Sequence, residues 1–253
     1  MGHRDTLWRG VLLLLGLGLV LALLPPRAVP ADSACPLPEG SFPPAPVPTP
    51  APRGGLVALT FDDGPRRSTT TALLDGLGER GVKATFFLVG EQVLHNEDLV
   101  KRMVREGHQV GLHTYGHADL TGLNRQDFSA QVDRCRDLLR SILGEADFAL
   151  RPPYGKIDQA GRQWAGAPLI LWSVDPEDWG DKDTRRIVRQ VLSEAQDGDV
   201  ILLHDIYPTS VEAALEIVDG LREQGFYFVT VEELFAARHI PLEPGRVYRH
   251  ARP

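Results

Sequence analysis

From Gly55 onward, short apolar runs alternate with longer stretches whose apolar residues recur at helical spacing. Leu56–Phe61, Ala84–Val89, Gln109–Leu112, Phe148–Leu150, Leu169–Val174, Val200–Leu203 and Phe226–Val229 predict strands. Thr69–Glu79, Glu97–Glu106, Arg125–Leu143, Ile157–Trp164, Thr184–Ala195 and Val211–Glu223 predict the helices between them. Strands that alternate with helices imply a parallel sheet, because a parallel neighbour is reached by a crossover whose helix covers the sheet face. The pattern predicts an α/β fold, either an open doubly wound sheet or a (β/α) barrel. No Gly-x-Gly-x-x-Gly turn follows the first run, which removes the main sequence argument for a dinucleotide-binding sheet.

Two segments of different character precede this pattern. Arg4 and Arg9 lead into Val11–Leu24, which holds only Val, Leu, Ala and Gly, and Val29-Pro30-Ala31 offers small residues beyond it. A basic start, a short apolar core and a small-residue exit read as a secretory signal, and an uncleaved membrane anchor is the other reading of the same run. Ser33-Ala34-Cys35 partly resembles a lipoprotein cleavage site, from which Asp32 departs. All three readings carry the rest of the chain outside the cytoplasm. Pro25 to Pro52 holds 11 of the chain's 20 prolines, a density that precludes helix and favours extended polyproline II, either as a spacer or as an unstructured leader. The expected organisation is a signal peptide or membrane tether over 1–31, a proline-rich linker over 32–54, a folded domain over 55–238 and a C-terminal tail over 239–253.

Composition narrows the picture. The 253 residues carry a formal net charge of −7, and residues 1–31 hold three arginines against one aspartate, so the remainder is more acidic still. No nucleic-acid partner is expected. The only cysteines, Cys35 and Cys135, are too few for a disulfide scaffold or a structural zinc site. Cys135 shares helical spacing with Val132, Leu138, Leu139 and Ile142, which predicts a buried free thiol and no Cys35–Cys135 bridge.

The chemically useful residues fall at the C-terminal ends of the predicted strands. Asp62 and Asp63 follow the first, His113 and His117 the third, Arg151 the fourth, Asp175 and Asp178 the fifth, and His204 and Asp205 the sixth. In a parallel barrel those ends share one face, where the βα loops build a site. In His113-Thr114-Tyr115-Gly116-His117 the imidazoles stand four residues apart and meet on one side if the loop turns helically. Two imidazoles want an anionic third ligand, which Asp62-Asp63 can supply. Adjacent carboxylates do not easily point at one metal, so one is expected to ligate while the other stands beside the bound water. Zinc lowers the pKa of such a water towards about 7, and a neighbouring carboxylate can complete the deprotonation. Gly64-Pro65 turns the chain just beyond the pair. Arg151 would orient a carboxylate, and after Pro152 and Pro153 the Tyr154 N–H is the next backbone donor, suited to an oxyanion. His204, ending an apolar strand, is a candidate general acid, with Asp178 as partner and Trp179 as an aromatic wall.

Thr60-Phe61-Asp62-Asp63-Gly64-Pro65, His113-Thr114-Tyr115-Gly116-His117, Arg151-Pro152-Pro153-Tyr154-Gly155, Asp175-Pro176-Glu177-Asp178-Trp179 and Leu202-Leu203-His204-Asp205 together resemble the five motifs of the polysaccharide deacetylases of carbohydrate esterase family four. The resemblance covers roughly Leu56 to Ala236. It implies a distorted (β/α) barrel of about seven βα units and removal of N-acetyl groups from chitin oligomers or peptidoglycan, or of O-acetyl groups from xylan. By motif position it implies Asp62 as general base, Asp63, His113 and His117 as metal ligands, and His204 as general acid. Arg151 would orient Asp62, and Asp178 would interact with His204. Trp179 and Leu202 would line the acetyl pocket, and the Tyr154 N–H would help hold the oxyanion.

The expected cofactor is a divalent metal, zinc first, with cobalt or another divalent ion as an alternative. The expected partner is an acetylated polysaccharide, with export favouring the cell's own envelope. The rival readings are an acetylxylan O-deacetylase and a non-catalytic glycan-binding module, and the latter has no need of an acid–base pair beside a metal triad.

Overall fold

The structure is a computed structural model that describes residues 54–252. The expected signal or tether over 1–31, the linker up to residue 53 and Cys35 lie outside the described residues.

The strand β1 (Gly55–Asp62) is buried along its whole length. After it come α1 (Arg67–Glu79), β2 (Thr85–Leu88), α2 (Gly90–Val93), α3 (Glu97–Arg105), β3 (Gln109–Leu112), α4 (Arg125–Leu143) and α5 (Gln159–Trp164). The chain continues through β4 (Leu169–Ile170), α6 (Thr184–Glu194), β5 (Val200–His204), α7 (Pro208–Glu223), β6 (Phe226–Phe228), α8 (Val231–Ala237) and β7 (Val247–Tyr248). Helix starts are fixed by side chains that accept otherwise unpaired amides. Asn124, Asp158 and Asp183 cap α4, α5 and α6, and Thr230 forms a capping box with Glu233 at α8.

Every pairing between these strands is parallel, and β1 is the hub. It pairs with β2 and β5 through its C-terminal half and with β6 through Gly55–Val57. The sheet runs β3-β2-β1-β5, with β4 and β7 as a separate parallel pair. Isolated parallel bridges carry the circuit on: Leu112 to Leu150, Leu150 to Leu169, and Val174 to Ile201 on β5. Between the open sheet and the barrel, the connectivity is that of a barrel, regular on the β1 side and broken on the other. The predicted strands Phe148–Leu150 and Leu169–Val174 shrink accordingly to a bridge at Leu150 and to β4 plus a bridge at Val174. Pro152 and Pro153 end the first. In the second, the Ile170 and Leu171 carbonyls accept hydrogen bonds from the Arg151 guanidinium, at 3.0 and 3.2 Å.

The segment expected as a tail over 239–253 contributes a strand and buried contacts. The strand β7 pairs with β4, and Tyr248 packs edge-on against Phe235 with centroids 5.2 Å apart. Ala251 N donates to Gly198 O, and Arg252 Nε donates to the buried Asp199 at 2.7 Å. These pieces are too short to show any periodicity, so sequence patterning misses them. Cys135 is a buried free thiol within the main hydrophobic core, and burial pushes it up to about 12. No helix among the described residues is long and apolar enough to cross a membrane.

Asp199 also accepts from Ser173 Oγ and Gln196 N, so Arg252 is one of three supports for a carboxylate with no solvent exposure. Arg252→Ala should therefore destabilise the fold by about 1.5–3 kcal/mol, the usual worth of a hydrogen bond to a charged group. Urea unfolding of the two proteins checks this, and equal midpoints would show that the C-terminal segment is only laid against the barrel.

Candidate active site

The C-terminal ends of β1, β3 and β5 deliver the candidate residues to one face. Asp62 and His204 are register partners on adjacent strands, so the sheet itself places them side by side. Asp62 still belongs to β1, whereas Asp63 turns into the left-handed region at φ 74°, which sends the two neighbouring carboxylates different ways. The turn after them contains a cis Gly64–Pro65 bond, and its Gly64 carbonyl accepts from Val89 N at 3.0 Å.

Asp63, His113 and His117 each offer a ligand atom, and the three atoms lie within 4.8 Å of one another. His117 Nε2 is 3.1 Å and His113 Nε2 3.4 Å from Asp63 Oδ1, an oxygen that is buried and has no hydrogen-bond partner among the described residues. The His113 ring is fixed from behind, with Nδ1 2.7 Å from the Arg151 carbonyl oxygen. A donor Nδ1–H there leaves Nε2 as a lone pair aimed at the cluster, the usual arrangement of a ligating histidine. Burial opposes ionisation of Asp63, but the His113 and His117 imidazoles beside it and the charge of His204 hold its carboxyl well below the usual carboxylate range. An unpartnered anionic oxygen facing two imidazole nitrogens fits a divalent metal.

The helical turn expected for residues 113–117 does not form. The segment is an irregular loop in which Thr114 and His117 both adopt positive φ, 64° and 56°. It is held to the neighbouring loop by Gly90 N to Thr114 O and Glu91 N to Tyr115 O, at 3.0 and 2.9 Å. Backbone strain of this kind persists only where surrounding bonds impose it, and here it is what brings His117 back towards His113.

Arg151 has no solvent exposure. Its Nη1 donates to Asp62 Oδ1 and to Thr60 Oγ1, each at 2.8 Å, and its guanidinium carbon lies 4.1 Å from the centre of the Phe87 ring. Burial lowers the pKa of this guanidinium, and the Asp62 charge acts against that fall. Asp62, itself buried, presents its second oxygen 3.7 Å from His113 Nε2.

On the other flank, Asp178 is fully buried and accepts twice from His204, from the backbone N at 2.8 Å and in a 2.7 Å contact with Nδ1. Burial alone would lower the His204 pKa, but the hydrogen bond and charge of Asp178, with the charges of Asp62 and Asp63, raise it to about 9. Asp175, whose Oδ1 accepts from Glu177 N, is raised by burial.

Leu202 is buried beneath this face, while Tyr154 and Trp179 stand out from it at 62% and 52% exposure. The Tyr154 ring meets His117 edge-on with centroids 4.9 Å apart. The N–H groups of Gly155 and Lys156 bond back to Pro152 and Pro153, leaving the Tyr154 N–H out of both bonds. A cavity of about 220 Å³ opens beside Asp63 and His117, and its wall includes Arg66, Glu91 and Gln92. These three carry no motif of their own, but Glu91 and Gln92 follow the β2 end, so the strand-end rule applied to every strand would have marked them.

The family model for polysaccharide deacetylase matches residues 50–167. A peptidoglycan-N-acetylmuramic acid deacetylase of Bacillus subtilis is 42% identical over 183 residues, 72% of this chain, and the match spans 39% of that protein's length. A peptidoglycan-N-acetylglucosamine deacetylase of Bacillus cereus is 38% identical over 186 residues, covering 71% of this chain and 68% of that one. Among solved structures, a family 4 acetyl xylan esterase from Clostridium thermocellum in complex with a cobalt ion superimposes with a TM-score of 0.73 at 29% identity, over 77% of this chain and 98% of that one. With its motifs at the strand ends of a parallel barrel, the chain belongs to the polysaccharide deacetylase family.

Proposed function

We propose that this chain is a metal-dependent hydrolase that removes N-acetyl groups from N-acetylglucosamine-containing polysaccharide, peptidoglycan or chitooligosaccharide, outside the cytoplasm. The observation that carries the reading is the pairing of Asp62 with His204 in register across β1 and β5, beside the Asp63–His113–His117 cluster. A glycan-binding module would need neither a carboxylate oriented by a buried arginine nor a histidine oriented by a buried aspartate. The apolar start of the chain, its proline-rich stretch and the peptidoglycan named for its relatives support action at the envelope.

Asp63, His113 and His117 would hold a divalent ion, zinc by the chemistry of the donor set and cobalt as a substitute, which would supply Lewis acidity to the acetyl carbonyl and to water. Asp62, aimed by the Arg151 guanidinium, takes the proton of the attacking water as general base. The Tyr154 N–H donates to the carbonyl oxygen as it gains negative charge. Leu202 and Trp179 enclose the acetyl methyl. His204, its ring fixed through Nδ1 by Asp178, gives a proton from Nε2 to the departing amine nitrogen, so that the C–N bond breaks to acetate and a free amine. The same groups would cleave an O-acetyl ester, and the likeness to an acetyl xylan esterase makes acetylxylan the comparison substrate. Acetate released from peptidoglycan, chitooligosaccharide and acetylxylan, each with added zinc or cobalt, tests the reading. Release from the first two is expected, and none from any of the three refutes it.

The two aspartates should separate experimentally. Asp62→Asn removes the base and leaves the ligands, so bound metal should stay near stoichiometric while turnover falls by about 10²–10⁴, the usual contribution of general-base catalysis. Asp63→Asn removes the anionic ligand, so metal affinity should drop and excess metal should restore part of the activity. Elemental analysis beside acetate release reads both, and metal loss in Asp62→Asn with metal retained in Asp63→Asn would reverse the roles.

His204 must be protonated to act as an acid, so kcat/KM should fall as pH rises through its pKa, which Asp178 holds up near 9. Asp178→Asn removes the stabilising charge and should move this alkaline limb to lower pH, besides lowering the rate. A limb that stays in place in the variant would assign it to another group.

A further inference from the structure

We infer that Asp205 is a positioning residue whose carboxylate, wedged between Thr70 and Gly64, sets the turn carrying Asp62 and Asp63 against the end of β5 that carries His204. Asp205 is almost wholly buried, and its Oδ2 accepts from Thr70 Oγ1. The same Thr70 hydroxyl oxygen accepts from Arg66 N at 2.8 Å, so one hydroxyl links the Asp205 carboxylate to the far side of the turn. Gly64 lies directly against it: a Cβ built there would be 2.6 Å from Asp205 Cγ, closer than two carbons can approach. Gly64 does not adopt positive φ, so glycine is needed at this position for the space the carboxylate fills rather than for backbone freedom.

As packing alone, this carboxylate is a poor choice. Asp205 Oδ1 is buried without a hydrogen-bond partner among the described residues, and an enclosed carboxylate with a single donor lowers stability. Its place explains it. The residues from Asp62 to Arg66 turn sharply between the last β1 residue and α1, and the turn is tied at three further points: Gly64 O to Val89 N, Pro65 O to Asn96 Nδ2 at 3.3 Å, and Arg66 Nη1 to Ile206 O at 3.1 Å. Val89 and Asn96 fix the turn to the β2 side. Asp205, with Thr70, is the buried tie to the β5 side, one residue after His204. Without it, Gly64 faces a void, and Asp63 can shift relative to the two imidazoles.

The inference rests on Asp63 being a metal ligand, and cobalt(II) titration of the full chain, followed by visible absorption, tests both separately. Asp205→Asn keeps the volume and an acceptor for Thr70, and should bind cobalt within about threefold of the parent. Asp205→Ala opens the void and Thr70→Val removes the link, and each should weaken cobalt binding by about tenfold, the low end for groups that orient ligands from behind. Excess cobalt should restore part of their acetate release. A fall in melting temperature with unchanged cobalt affinity in both Asp205→Ala and Thr70→Val makes the role purely structural and overturns the inference, as does a loss in Asp205→Asn as large as in Asp205→Ala. If Asp205→Ala does not fold, Thr70→Val decides alone. Absence of cobalt binding by the parent chain refutes the function proposed above instead.

Discussion

A guanidinium sealed inside a protein must be paired, because the charge has no water to fall back on. Arg151 meets that demand with Asp62, the Thr60 hydroxyl and the carbonyls of Ile170 and Leu171, under the face of Phe87. Three features of the molecule follow from this one residue. The barrel is irregular where the Ile170 and Leu171 carbonyls serve the arginine rather than a strand. Asp62 is locked by its buried partner and presents only one oxygen outward. His113 is oriented by the backbone carbonyl of the same residue, so the position of the proposed base and that of a proposed metal ligand share a single anchor.

The second constraint is divergence of neighbours. Asp62 and Asp63 are adjacent in the chain but occupy different backbone regions, extended and left-handed, and so reach different partners. Positive φ recurs at Thr114, His117, Tyr154 and Glu177, all in loops at strand ends on this face. Each such position is strained by about 1–3 kcal/mol in a non-glycine residue, and around Thr114 and His117 the bonds from Gly90 and Glu91 across to the next loop impose it.

Much of this was legible from the residue pattern. The helix Arg125–Leu143 begins and ends where its periodicity indicates, and the strand ends carrying Asp62, His113 and His204 lie where the apolar runs stop. What was not legible depends on contacts distant in sequence. The loop from His113 to His117 is bent by bonds to Gly90 and Glu91, the strand after Leu169 is interrupted by Arg151, β7 is recruited by β4, and Arg252 by Asp199. No local pattern encodes the fit of Gly64 against Asp205, because it joins residues 141 positions apart in the chain.

The proposed division of labour between Asp62 and Asp63 is most directly tested by anomalous diffraction from crystals of the cobalt-loaded chain. One cobalt ion is expected, bound by a carboxylate oxygen of Asp63 and an imidazole nitrogen from each of His113 and His117, with Asp62 still on Arg151 and outside the coordination sphere. An ion coordinated by Asp62, or one lying away from the two histidines, would contradict it.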